Sequence, residues 1–145
     1  MSGTAAIITY LAPPSLKGSS TLHEAQVLQW LNLSEYEILP AVLALVDSSP
    51  AAKSAFGRAR QEVQYHVDAL NKLLLTRTYL VGEVVSAADV AVTCVLLPAF
   101  TNVFDGPARS KSSNVMRWFS TVVNQPNVKN VVGDVKFFEG KSSKH

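Results

Sequence analysis

The feature that most constrains the fold is the stretch from Val90 to Phe104, which contains no charged residue. Ser86 and Asp89 precede it at the spacing of a capping box, in which the serine side chain accepts from the backbone N–H of Asp89 and the carboxylate accepts from that of Ser86. This predicts the start of a helix, and Pro98 within the run argues against a central strand. Because an uncharged helix is expected to be covered on every side, we predict that it forms the centre of the fold.

The composition is that of one compact domain. The chain has 145 residues, of which 48% are hydrophobic and 17% charged. The uncharged run is shorter than the roughly 20 apolar residues that cross a bilayer, so we expect no membrane span. The sequence opens with neither a signal peptide nor a transit peptide, and a single cysteine, Cys94, forms no internal disulfide. We therefore expect a cytoplasmic protein.

Capping signals predict two helices before the uncharged run. A short helix is expected over residues 4–11, opened by Thr4, and a longer one is expected to begin at a second capping box, Thr21 with Glu24, and to continue to about Val46. Pro40 lies inside the longer pattern and lacks an N–H. It is therefore expected to kink this helix.

Apolar periodicity predicts the remaining helices and an all-α fold. Ser49 as cap and Pro50 at the first helical position predict a helix to about Thr76. Its core stripe would consist of Phe56, Val63, Val67, Leu70 and Leu74. A later helix has an apolar stripe made of Val115, Trp118, Phe119, Val122 and Val123. Its opposite face carries Arg117, Ser120, Thr121 and Asn124. A last short helix is expected over residues 127–132, ending at Gly133.

No residue pattern predicts catalysis, a cofactor or a metal ion. The seven glycines are scattered and do not form a phosphate-binding loop. The three histidines and Cys94 are isolated from one another, which does not suit a zinc site. We interpret Asp89 as a helix cap and not as a catalytic acid, and Cys94 as a small core residue whose thiol pKa is raised. The chain is therefore expected not to be an enzyme.

Several segments resemble the C-terminal helical half of glutathione-transferase-like proteins, and most of all the translation branch of that superfamily. The segments are YLVGEVVSAADVAV from Tyr79, residues 105–109, 114–119, 124–126 and 131–136. The translation branch includes the gamma subunit of elongation factor one, the domain appended to valyl-tRNA synthetase, and small scaffold subunits of multisynthetase complexes. The resemblance implies an all-α bundle with the thioredoxin-like half essentially missing.

The resemblance also implies how the chain is divided. Residues 1–20 would be a remnant helix and linker, residues 21–138 the transferase-like helical domain, and residues 139–145 a tail. In transferases that bind glutathione, the remnant helix opens with an acidic or amide residue and a serine that hold the peptide. Gly3 and Thr4 stand at those places here. The resemblance therefore implies that no glutathione is bound.

The implied function is a non-catalytic protein–protein interaction module of the translation machinery, which assembles an elongation factor one or aminoacyl-tRNA synthetase complex through helix faces. In scaffold domains of this type, an arginine before an aromatic pair meets an acidic residue of the partner. Arg117 matches that arginine, although a solvated arginine is an equally good interpretation. The neighbouring contacts would be Ser120, Thr121 and Asn124. A second surface would consist of Leu11, Leu22, Trp30 and Leu33.

The expected partners are synthetase or elongation-factor subunits with transferase-like domains, or a second copy of the chain. Two other hypotheses stay open. The chain is alternatively the substrate-side half of a glutathione transferase. The third hypothesis is a weak tRNA contact at the basic C-terminal end, where seven Lys/Arg stand against two acids from Arg109 onward. That contact would use Arg109, Lys111, Lys129, Lys136, Lys141 and Lys144.

Overall fold

The computed structural model describes residues 3–50 and 52–140, and every regular element in these two ranges is helical. The helices are α1 (Thr4–Leu11), α2 (Pro14–Lys17), α3 (Thr21–Leu33), α4 (Leu39–Val46), α5 (Phe56–Leu73), α6 (Ala87–Asn102), α7 (Gly106–Ser110), α8 (Ser113–Val123) and α9 (Pro126–Val132). A π-helical turn (Ser34–Ile38) joins α3 to α4, and a 3₁₀ turn (Ala52–Ser54) precedes α5. The predicted all-α class is confirmed. Within the described ranges, no helix has the length and apolar character needed to cross a membrane.

Helix α6 is the centre of the bundle, as predicted. It packs against α3, α4 and α8, while α4 also packs against α5. Leu96 and Phe100 of α6 are buried, and the Phe100 ring meets that of Phe119 edge to face at 5.0 Å between centroids. Such aromatic pairs add stability beyond the area that they bury.

The prediction that the uncharged helix is covered on every side is wrong. Val90 and Val95 are only half-buried, and Cys94 is exposed. The short helix α1 stands beside these residues and leaves an apolar groove of about 420 Å³ between itself and α6. A lack of charge shows that a helix face needs no ionic partner, but it does not show that another element lies against that face.

The predicted capping box of α6 is confirmed, and Asp89 does more than cap. Its carboxylate is completely buried and accepts from the backbone N–H groups of Leu80 and Ser86, both at 2.9 Å. The Ser86 hydroxyl and the Trp118 indole N–H also donate to it, both at 2.8 Å. A buried carboxylate is stable only with such partners. The local cap therefore also ties α8 to α6.

Two other predicted caps are wrong. Helix α3 is capped by Ser20, whose hydroxyl accepts from the N–H of His23 at 3.2 Å, while Thr21 is already helical. The capping box of Thr21 with Glu24 is therefore misplaced by one residue, because Ser20 and not Thr21 has the extended backbone of a cap. Helix α1 is preceded by Gly3 and receives no cap from the Thr4 side chain.

The helix changes to π-helical geometry just before Pro40, while the predicted kink stays a prediction. The N–H of Leu39 donates to the carbonyl of Ser34, five residues back, and this makes the π-helical turn.

The next helix, α5, begins later than predicted. Ser49 accepts from Ala52 at 3.3 Å, but it opens only the 3₁₀ turn. Phe56, the first residue of α5, is 39% exposed, so its assignment to the core stripe is wrong.

Four of the five predicted stripe residues of α5 are buried, namely Val63, Val67, Leu70 and Leu74. The predicted stripe of α8 is buried throughout, at Val115, Trp118, Phe119, Val122 and Val123. Helix α9 ends at Gly133, as predicted, and this glycine has a φ of 77°. The left-handed conformation there favours glycine.

Candidate protein–protein interface

Buried contacts and a hydrogen-bonding side chain of α5 fix the orientation of α8. Its buried stripe faces the core, and its first turn is held by Asn71 of α5. The Asn71 Oδ1 accepts from the backbone N–H groups of Asn114 at 3.0 Å and Val115 at 3.3 Å. These N–H groups have no partner within the helix, so a side chain from another helix serves as the cap. The opposite side of α8 therefore faces outward in a defined orientation.

Arg117 lies on that outward side and is exposed. Its Nη2 donates to the carbonyl oxygens of Leu74 at 2.7 Å and Arg77 at 3.0 Å, just after the end of α5. Among the described residues, its Nε and Nη1 groups have no hydrogen-bond partner. The guanidinium is thus anchored to its own chain at one nitrogen and keeps free donors for another molecule.

The neighbours of Arg117 on the outward side of α8 are polar. Ser120 and Thr121 are half-buried, and Asn124 is exposed. The Thr121 hydroxyl donates to the carbonyl of Arg117 at 2.9 Å, and the Asn124 amide donates to that of Ser120 at 2.8 Å. These side chains therefore lie along their own helix instead of extending outward. We call the surface made of Arg117, Ser120, Thr121 and Asn124 the α8 face; its use by a partner stays a prediction.

The four residues of the second predicted surface do not share one groove. Leu11 and Leu22 are 71% and 67% exposed, whereas Trp30 and Leu33 are half-buried and pack against the core. Leu11 lines the groove between α1 and α6. Trp30 and Leu33 line another groove, of about 740 Å³, beside α3. That α3 groove is also lined by Arg77, whose carbonyl binds Arg117, so it adjoins the α8 face.

Cys94 is not in the core, so that part of its interpretation is wrong. It lies in the wall of the α1–α6 groove, opposite Ile8 and Leu11. As predicted, the pKa of its thiol is raised, because the apolar surroundings remove water from the thiolate. A raised pKa leaves little reactive thiolate at neutral pH, although the thiol is accessible.

The basic residues differ in what they do within the chain. The Arg109 side chain is largely buried and donates to the carbonyl of Phe104 at 2.6 Å and to the Glu139 carboxylate at 2.8 Å. Lys129 is paired with Asp134 at 3.1 Å. Lys111 and Lys136 are exposed and form no ion pair with any described residue. Lys141 and Lys144, and the predicted tail beyond Gly140, lie outside the described residues.

The sequence analysis did not identify two residues that cap the helices α1 and α8. Glu35 accepts from the N–H groups of Thr4 and Ala5, each at 3.1 Å, and thereby caps α1 from the π-helical turn. These hydrogen bonds lower the pKa of the Glu35 carboxyl. Asn71 caps α8 in the same manner. Both caps join residues 30 or more positions apart, and a search for local spacing does not detect them.

In the described part of the chain, no three His, Cys, Asp or Glu side chains cluster as a metal site.

Comparison with known proteins identifies a family and relatives of the chain. The family model described as "Glutathione S-transferase, C-terminal domain" matches residues 27–126. "Elongation factor 1-gamma" of Artemia salina is 43% identical over 138 residues, which are 92% of this chain and 32% of that protein. "Probable elongation factor 1-gamma" of Caenorhabditis elegans is 45% identical over 121 residues, 81% of this chain and 30% of that protein. The chain spans about a third of the length of these relatives.

Solved structures support the same fold. The GST-like domain of elongation factor 1-gamma from Saccharomyces cerevisiae matches with a TM-score of 0.77 at 24% identity, over 92% of this chain and 65% of that chain. A sphingomonad glutathione S-transferase complexed with glutathione matches with a TM-score of 0.69 at 23% identity, over 90% of this chain and 65% of that chain. At these identities the matches define the fold alone.

Proposed function

The chain belongs to the family of glutathione S-transferase C-terminal domains, and from this premise we propose that it is a non-catalytic protein–protein interaction module of the translation machinery. The observation that carries the proposal is its identity of 36–45% to proteins named elongation factor 1-gamma, over most of its own length. In this role the chain helps to assemble an elongation factor one or aminoacyl-tRNA synthetase complex, and it does so by docking.

The α8 face is the proposed contact. Arg117 is held by two carbonyl oxygens, so little conformational entropy is lost when a partner binds it. Its free donors suit a carboxylate of the partner, which a guanidinium binds through paired hydrogen bonds. Ser120 and Thr121 are small and bonded to their own helix, which allows a partner helix to approach closely. A centrally placed arginine of this kind can contribute a large part of the binding energy.

The α3 groove extends this contact. It adjoins the α8 face at Arg77 and presents Trp30 and Leu33, so that a partner on Arg117 also reaches apolar surface. The proposed partners are synthetase or elongation-factor subunits with transferase-like domains, or a second copy of the chain. Lys111 and Lys136 provide a weak tRNA contact at most. We place the interaction domain at residues 21–138 and the protein in the cytoplasm.

One observation favours a second candidate, the substrate-side half of a glutathione transferase. The α1–α6 groove is lined mainly by apolar side chains, including Ile7, Leu11 and Val95, and has a volume of about 420 Å³. Such a groove suits an apolar ligand. Retention of the purified chain on immobilised glutathione, with elution by free glutathione, would favour this candidate over the docking module.

A pull-down from cytosolic extract tests the docking module. Wild type, Arg117→Ala and Arg58→Ala are compared by mass spectrometry, and the mass of each purified chain is measured by light scattering. Arg58 is the matched control, because it is an exposed arginine of α5 away from the α8 face. Truncation of a central interface arginine costs about 2 kcal/mol, so we expect the alanine variant to lose roughly thirtyfold in affinity.

Capture of elongation-factor or synthetase subunits by the wild type and Arg58→Ala, with loss in Arg117→Ala, supports the module and its α8 face. Equal capture by all three chains would move the contact away from the α8 face. Absence of these subunits from every pull-down, together with a monomeric mass, would contradict the module itself.

A further inference from the structure

The chain crosses back over the bundle after α9 in an extended segment. We call residues 135–140 the strap. Val135 and Phe137 pack against the hydrophobic core, and the Phe137 ring lies 6.0 Å from that of Phe119 in α8. The backbone N–H of Phe138 donates to the carbonyl of Phe100 in α6 at 3.0 Å. The strap thus covers the place where the aromatic side chains of α6 and α8 meet.

One side chain, Arg109 of α7, holds the strap in place. Its Nη1 donates to the carbonyl oxygens of Phe104 and Phe138, and its Nη2 donates to the carboxylate of Glu139 at 2.8 Å. The guanidinium carbon also lies 4.9 Å from the centre of the Phe137 ring, in a cation–π contact. The Arg109 side chain is only 11% exposed. It therefore joins Phe104, which follows α6, to the backbone and to two side chains of the strap.

Apart from the core contacts of Val135 and Phe137 and the bonds to Arg109, few interactions connect the strap to the bundle. In the described part of the chain, the bond from Phe138 to Phe100 is the one backbone hydrogen bond between them. The strap has no helical or strand hydrogen bonds of its own. Glu139 is 75% exposed, and a pair with so exposed a partner contributes little by itself. Segments with few buried contacts of this kind open locally without unfolding of the whole domain.

We propose that the strap opens and closes over α8 and so controls how firmly α8 is held. We call it a latch, and Arg109 is the residue that keeps it closed. When it is closed, Phe137 lies against Phe119 and keeps α8 fixed on α6. When it is open, the aromatic side chains of α6 and α8 lose this cover and α8 loosens. Because α8 carries Arg117, opening of the strap weakens binding at the α8 face. This last step rests on the proposed function, whereas the latch itself does not.

Hydrogen exchange of the whole chain, read by mass spectrometry, tests the latch. Arg109→Met keeps an unbranched apolar side chain but removes every donor. We expect peptides that cover the strap to exchange at least tenfold faster than in the wild type, and α8 to exchange measurably faster. Helix α5 should be unchanged, since no residue of the strap bonds to it. Arg58→Met is the matched control and should leave all three regions as in the wild type.

Unchanged exchange in the strap would overturn the proposal, and so would an equal rise in α5, which would show that Arg109 merely stabilises the whole domain. Glu139→Ala provides a milder variant, because it removes an exposed carboxylate and no core contact. It should speed exchange of the strap by a much smaller factor than Arg109→Met does, because the exposed pair contributes little by itself. An effect as large as that of Arg109→Met would count against the latch, since the exposed carboxylate and not the buried contacts of Arg109 would then hold the strap.

Binding separates the latch from the proposed function. If the wild type captures translation subunits, Arg109→Met should capture less of them. Undiminished capture by a variant whose strap exchanges fast would overturn the regulatory step alone. If no chain captures a partner, the proposed function fails, while the exchange data still decide whether the latch exists.

Discussion

The two flanks of α6 have similar side chains and different surroundings. On the closed flank, Leu96 and Phe100 are buried by helices from distant parts of the sequence. On the open flank, Val90 and Val95 are half-buried and Cys94 is exposed, because the eight-residue helix α1 leaves a groove beside them instead of covering them. Charge and hydropathy are therefore insufficient to assign a helix face to the core. A face of the helix is buried only where another element is long enough, and lies close enough, to cover that face.

The largest effect is expected where α6 begins, at the edge of the closed flank. Asp89→Ala leaves the N–H groups of Leu80 and Ser86 and the indole N–H of Trp118 without their acceptor. Each buried donor without a partner costs about 1–3 kcal/mol, so the free energy of unfolding should fall by about 4 kcal/mol or more. Urea denaturation followed by circular dichroism measures it. A loss below about 1 kcal/mol would show that these donors find other acceptors.

A pair of substitutions two residues apart compares the flanks directly. Leu96→Ala on the closed flank should cost about 2–4 kcal/mol, because it leaves a cavity in the core. Cys94→Ser on the open flank should change stability by less than about 0.5 kcal/mol. The same urea experiment measures both. Equal losses would mean that the open flank is covered in solution.

The smallest effect is expected at α1, which forms the other wall of the open groove. Hydrogen bonds from Thr4 and Ala5 lower the pKa of the Glu35 carboxyl in the folded chain. Their stabilising effect is therefore complete above the pKa of an unfolded glutamate and is lost as the pH falls through the lower folded value. Hydrogen exchange at neutral pH and at a pH below 4.5, the ordinary pKa of a glutamate, corrected for intrinsic rates, should show that acid weakens α1 in the wild type.

In Glu35→Gln the protection of α1 should be lower at neutral pH and should depend less on pH, since the glutamine has no charge to lose in this range. Helix α5 provides the internal reference, because Glu35 makes no hydrogen bond to it. The account of α1 would be wrong if both chains showed the same dependence on pH.

Features that depend on neighbouring residues could be predicted from the sequence. The capping box of Ser86 with Asp89 and the apolar stripe of α8 are confirmed, because both follow from spacing along a single helix. The outward position of Arg117 follows from that same stripe. The cap of α3 was misplaced because Ser20 and Thr21 are both good caps, and only the backbone conformation separates them.

Features that depend on distant residues could not be predicted. The bonds from Arg117 to Leu74 and Arg77, from Asn114 to Asn71, and from Arg109 to the strap join residues that no local period relates. The open flank of α6 belongs to the same class, since it depends on where α1 lies. For this reason the sequence did not distinguish Arg109 from Lys111, and both were interpreted as exposed cations. In the structure, the Arg109 side chain is instead bound to the backbone of its own chain.

The measurement that tests the central claim most directly is hydrogen exchange of the chain with and without a purified translation subunit that it captures. The proposal predicts that protection is gained at residues 117–124 of α8 and at residues 74–77, where Arg117 is anchored, while the α1–α6 groove is unchanged. Protection confined to α1 and the open flank of α6, with none on α8, would contradict the claim that the chain docks through its α8 face.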